Sequence, residues 1–131
     1  MKSKQNEQER QYQLWLHNLP GIGDRTIGRL LCLFGSAQGV YEADDKKLEQ
    51  VIKKEEIRKE IRRFSAGWDL KGAYERLKEC GIMFLTYDDM AYPDRLRKLK
   101  YPPYGLYYLG SLPRQDQVAA AIIGASITLT N

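Results

Sequence analysis

Apolar residues recur at helical spacing through the first eighty positions and then change to short runs. Tyr12, Leu14, Trp15, Leu16 and Leu19 form the apolar side of a first short helix, and the ten residues before them read as frayed. Pro20 stops this helix, because proline lacks the N–H for the ladder and restrains the residue before it. After Gly21-Ile22-Gly23, Asp24 is placed as the N-cap of a second helix carrying Ile27, Leu30, Leu31 and Phe34, with Gly35 at its C′ position. Ser36 caps a short helix with Val40 and Tyr41, and Asp44 or Asp45 caps another with Leu48, Val51 and Ile52 inward. Ile57, Ile61, Phe64 and Trp68 make one stripe on a longer helix. Asp69 opens a last helix carrying Leu70, Ala73, Tyr74 and Leu77, which Gly81 closes.

From Gly81 the pattern predicts strands. Ile82–Thr86 is a short apolar run suited to a strand buried on both faces. Tyr92-Pro93 and Pro102-Pro103 break the chain, with Asp94 placed as the cap of a brief turn carrying Leu96 and Leu99. Leu106–Leu109 reads as a second strand ended by Gly110, and Val118–Ile123 as a third followed by Gly124. The expected division is a flexible N-terminus at 1–11, a helical domain at 12–80 and a strand-rich domain at 81–131.

Composition narrows the function classes. At 43% hydrophobic and 29% charged, the 131-residue chain is a globular mixture rather than a disordered tail. No apolar run reaches the roughly 20 residues a membrane helix needs, and the polar start MKSKQNEQERQYQ has no signal-peptide core, so a cytoplasmic protein is expected. Cys32, Cys80 and the single His17 do not make a zinc pattern, so no metal or cofactor is expected and the cysteines read as buried reduced thiols. The net charge of +4 permits a polyanionic partner without requiring one. Between Lys53 and Arg63, acids and bases alternate as on a solvated helix face.

The string Leu19-Pro20-Gly21-Ile22-Gly23-Asp24-Arg25-Thr26 carries the most chemistry. Two helices joined by hydrophobic-Gly-hydrophobic-Gly resemble the helix-hairpin-helix motif. Both glycines permit backbone angles closed to other residues and let a phosphate approach the main chain, while Ile22 packs the hairpin. The N–H groups opening the second helix can bind phosphate oxygen, aided by Arg25 and Arg29. Candidate DNA contacts are therefore Gly21, Ile22, Gly23, Arg25, Thr26 and Arg29, all sequence-independent because they address phosphates. A plain packing turn is the alternative, and Asp24 opposes an anion there.

Other residues are assigned structural roles. Trp15 and Trp68 read as core rather than base-stacking platforms. Tyr101, Tyr104, Tyr107 and Tyr108 beside Arg95, Arg97, Lys98 and Lys100 form a second candidate nucleic-acid surface, with a packed strand and turn as the favoured alternative. Asp88 and Asp89 read as turn formers, and no residue is assigned catalysis.

The stretch GIMFLTYDDMAYPDRLRKLKYPPYGLYYLGSLPRQDQVAAAIIGAS resembles the DNA-processing protein A family (DprA, also called Smf). The resemblance rests on Asp88 before Tyr92-Pro93, the leucines Leu96 and Leu99, Pro102-Pro103, the strand to Gly110, and Ile122-Ile123-Gly124-Ala125. Leu19–Gly23, Phe34-Gly35-Ser36 and Val40-Tyr41 are similar to that family's N-terminal helical domain. The resemblance implies a helix-hairpin-helix or SAM-like domain followed by an extended Rossmann-like α/β domain. It also implies single-stranded DNA binding and loading of the RecA recombinase in natural transformation or recombination, without catalysis. The family's arginine after the Gly-containing loop is absent, and Gly124, Ala125 and Ser126 are what remains of a phosphate loop.

The expected fold class is therefore α+β or a fragment of α/β, with the Rossmann-like part incomplete and the chain truncated or frameshifted after Ala125. Parallel strands without crossover helices expose edges, so residues 82–131 are expected to be weakly stable or covered by homo-oligomerisation. Three functions stay open: DNA binding, a protein-interaction module or inactive fragment, and a nucleotide site at Gly124.

Overall fold

The computed structural model describes residues 2–109, 122 and 123, and the side chains of residues 7–109. The fold is mixed α and β. In chain order it contains α1 (Lys2–His17), α2 (Asp24–Phe34), α3 (Ala37–Glu42), α4 (Asp45–Leu48), α5 (Glu55–Gly67), α6 (Leu70–Glu79), β1 (Ile82–Thr86), α7 (Asp94–Arg97), β2 (Gly105–Leu109) and β3 (Ile122–Ile123). Two compact units result, Met1–Ala73 and Tyr74–Asn131. Among the described residues, no helix is long and apolar enough to cross a membrane.

The helical unit is built around Leu14, Trp15 and Leu16 of α1, Ile27 and Leu30 of α2, Val40 of α3, Leu48 of α4 and Ile61 of α5, all buried. Trp15 is a core residue, and its indole N–H donates to Ser65 Oγ at 3.0 Å, so the ring is buried without losing its polar partner. Local signals set most helix ends. Ser36 Oγ accepts from Gly39 N, Asp44 from Lys47 N, and Asp69 from Gly72 N. Gly35 and Gly81 close helices at φ of +84° and +73°. Trp68 lies one residue past the end of α5 and stacks on Phe64, with ring centroids 5.0 Å apart.

Three helix starts differ from the pattern. Helix α1 begins at Lys2, ahead of its apolar residues. Glu9 supplies a reason: its carboxylate accepts from Ala37 N at 2.8 Å and Gln38 N at 3.4 Å, placing negative charge at the N-terminus of α3. Asp24 is the first residue of α2 and Gly23 its N-cap, while Pro93 is the N-cap of α7 and Asp94 its first residue. Those aspartates serve the helix dipole from inside the first turn instead of capping it.

The second unit corrects the expected sheet. Its strands are antiparallel in the order β1-β2-β3, with Ile82 opposite Leu109 and Thr86 opposite Gly105. Residues 87–104 return the chain beside β1, and Tyr87 N donates to Tyr104 O at 3.0 Å, continuing the ladder. An antiparallel return needs no covering crossover helix, and α7 is a single turn. Of the expected third strand, Ile122 and Ile123 pair with β2, while residues 118–121 lie outside the described residues. Strand β1 is buried on both faces over Phe84–Thr86, as expected, but not at its start, where Met83 is 46% exposed. Leu85, Leu106 and Tyr92 form the core against Tyr87, Leu96 and Tyr108.

The connection between β1 and β2 is tied down by polar contacts. Asp89 accepts from Thr86 N at 2.7 Å, and Tyr92 Oη donates to the buried carbonyl of Pro103 at 2.7 Å. Arg97 donates to the carbonyls of Tyr87 and Asp89. Asp89 is therefore a turn former. Both cysteines are exposed, contrary to the buried thiols expected from composition, because Cys32 lies on the outer side of α2 and Cys80 just past α6.

Candidate nucleic-acid interface

The hairpin between α1 and α2 begins where Pro20 forbids continuation of the helix. Gly21 adopts φ of +78°, a conformation costly for any residue with a Cβ. Space is not the constraint, since a Cβ there would meet Ile57 Cγ2 at an ordinary 3.5 Å. Gly23 has φ of −108°, which any residue tolerates, so the expectation that both glycines need special angles holds for Gly21 alone. Gly23 contributes openness instead: nothing stands within 4 Å of where its Cβ would lie.

Helix α2 then presents its N-terminus. Arg25 and Arg29 are exposed one turn apart, Thr26 and Ile22 are half-buried, and Ile27 is buried beneath them. Asp24 in the first turn adds negative charge to the same end. It also acts on His17 at the end of α1: burial pushes the imidazole below its ordinary pKa, and the Asp24 carboxylate partly opposes that shift.

The tertiary fold adds two cations that the local pattern does not mark. A shallow cleft of about 160 Å³ is lined by Gly21, Ile22 and Thr26 on the hairpin side and by Lys53, Lys54 and Ile57 on the other. In the sequence, Lys53 and Lys54 belong to an alternating run with no distinctive spacing. Their position depends on Arg58, read from that run as solvated but only 6% exposed. Arg58 Nη1 donates to the carbonyls of Ile52 and Lys53, each at 2.9 Å, and its Nε to Asp45 at 3.0 Å. Desolvation, the largest single influence, raises the Asp45 pKa, but hydrogen bonds and charge from Arg58 and Arg62 together outweigh it and hold the carboxyl below its usual range. The buried guanidinium thus pins the segment that carries both lysines.

In the aromatic and basic mixture around residues 95–108, Arg95, Arg97, Lys98, Lys100 and Tyr101 are exposed, while the other tyrosines pack into the second unit. Tyr104 is 1% exposed and meets Tyr87 edge-on at 5.3 Å between ring centroids. Tyr107 and Tyr108 are half-buried on β2. The Arg97 guanidinium sits 5.3 Å from the Tyr92 ring centroid. Tyr101 is exposed, with the Lys100 ammonium 5.6 Å from its ring centroid. The other candidate loop, Gly124, Ala125 and Ser126, lies outside the described residues.

Residues 83–128 match the family model of DNA recombination-mediator protein A, a short segment that starts in β1 and runs through β2 and β3. The match falls on the stretch whose residues resemble that family. No curated protein and no solved structure matches the chain.

Proposed function

We propose that this protein handles DNA in recombination or natural transformation, binding single-stranded DNA through its phosphates without sequence preference. The match of residues 83–128 to the recombination-mediator family carries this reading. In it, the helical unit is a helix-hairpin-helix or SAM-like module and the sheet belongs to a Rossmann-like domain. The protein acts in the cytoplasm as a mediator, not an enzyme, with RecA as its protein partner. Gly21, Ile22, Gly23, Arg25, Thr26 and Arg29 are the proposed hairpin contacts, with Gly124, Ala125 and Ser126 as a second phosphate loop. The exposed arginines and the open backbone at Gly23 support the first set.

Fluorescence anisotropy with a labelled single-stranded oligonucleotide tests the proposal. Affinity should fall steeply between about 50 and 200 mM salt, because each neutralised phosphate releases counterions. Arg25→Gln with Arg29→Gln should weaken binding uniformly across sequences and flatten the salt slope by about one for each phosphate no longer neutralised. Absence of binding at low salt defeats the DNA-binding reading. Binding with an unchanged slope in the double variant removes the hairpin from it.

A further inference from the structure

We propose that the helical unit binds a small amphipathic carboxylate, with its apolar chain in a cavity between the helices and its carboxylate at Arg62. The cavity measures about 380 Å³, within the usual size of a small-molecule site. Its walls come from five helices and the segments joining them, and include Trp15, Leu19, Leu30, Val40, Leu48 and Ile61. Each of those six side chains is at most 6% exposed. The space is half open to solvent: these buried side chains form its apolar floor, and Tyr41, Ala43, Arg62, Ser65 and Ala66 form its more accessible sides.

The chemistry of the lining selects the ligand. Two polar side chains of the wall are already satisfied: Trp15 Nε1 donates to Ser65 Oγ, which donates to the Ile61 carbonyl at 2.7 Å. The interior therefore favours hydrocarbon over a polar guest. Arg62 is the charged residue of the lining, and its side chain is 49% exposed, so it belongs to the mouth. Asp45 engages Nη1 of this guanidinium, and a guanidinium carries five N–H donors. A ligand carboxylate can share it while the alkyl chain stays dry. Ala66, exposed and also part of the lining, keeps the rim low. This site shares the Ile52 wall with the hairpin cleft but contains none of its lysines, and it requires no nucleic acid.

Titration of the full chain with sodium octanoate, and with 1-octanol as the neutral counterpart, tests the site. Octanoate should bind saturably, raise the thermal midpoint and shift the methyl resonances of Leu30, Val40 and Ile61. Ala66→Phe should plug the mouth and abolish binding. Arg62→Gln should weaken octanoate by about tenfold, as for removal of one charged hydrogen bond, and leave octanol unchanged. Unsaturable binding, shifts spread over the surface, equal affinity in Ala66→Phe, or equal weakening for acid and alcohol in Arg62→Gln would each overturn the proposal. Should either variant not fold, intermolecular Overhauser effects from the octanoate chain to the Val40 and Ile61 methyls of the unaltered protein decide: present, they support the site; absent at saturation, they overturn it.

Discussion

His17 sits at the end of α1, half-buried, with its imidazole held below the ordinary pKa of 6.5. The folded state disfavours the proton, so stability from the neutral ring is complete above about pH 6.5. It is lost as the pH falls through the lower, folded-state pKa. The thermal midpoint should hold steady from about pH 8 to 7 and decline below about 6.5. In His17→Gln that first decline should flatten; an unchanged profile would assign it to other groups. At this scale the sequence was legible where one residue decides alone, as for the caps Ser36 and Asp44. It was not legible for Arg58, which looks like its charged neighbours but is buried because Ile52, Lys53 and Asp45 supply its acceptors.

At the scale of elements, the apolar stripes place α2 and α5 through the side chains they bury. They do not place the start of α1, because Lys2–Arg10 lacks a stripe and Glu9 acts on another helix. Glu9→Gln removes the charge that serves the first N–H groups of α3 and should destabilise the protein by about 1 kcal/mol. Chemical denaturation checks this: an unchanged midpoint at constant slope would mean the interaction adds nothing. The sheet gives the opposite lesson. Ile82–Thr86 and Leu106–Leu109 are recognisable as strands from composition, but antiparallel pairing is a property of two strands and the return between them. A parallel sheet and the antiparallel one observed share the same local pattern at each strand.

Across the whole chain, the two units differ in how they bury apolar surface. The helical unit packs side chains from five helices, whereas the second unit leaves Met83, Leu99, Tyr101 and Leu109 about half exposed. Limited trypsinolysis should therefore cut at Arg95, Lys98 or Lys100 before it cuts at Arg62 or Arg63 within α5. Simultaneous cleavage at both places would show equal stability. Cleavage at 95–100 that is suppressed as protein concentration rises would show that self-association covers this surface.

By itself, the sequence determined the two compositional halves, most helix ends, the hairpin at Pro20–Gly23 and the resemblance that the match at residues 83–128 supports. These are local: each depends on side-chain period, a cap, a proline or an ordered string. The tertiary structure alone decided the antiparallel order of the strands, the burial of Arg58, the meeting of Lys53 and Lys54 with Gly21 and Thr26, and the cavity beside Trp15. Each joins residues far apart in the chain, and their energies arise from packing and acceptors that no local window contains.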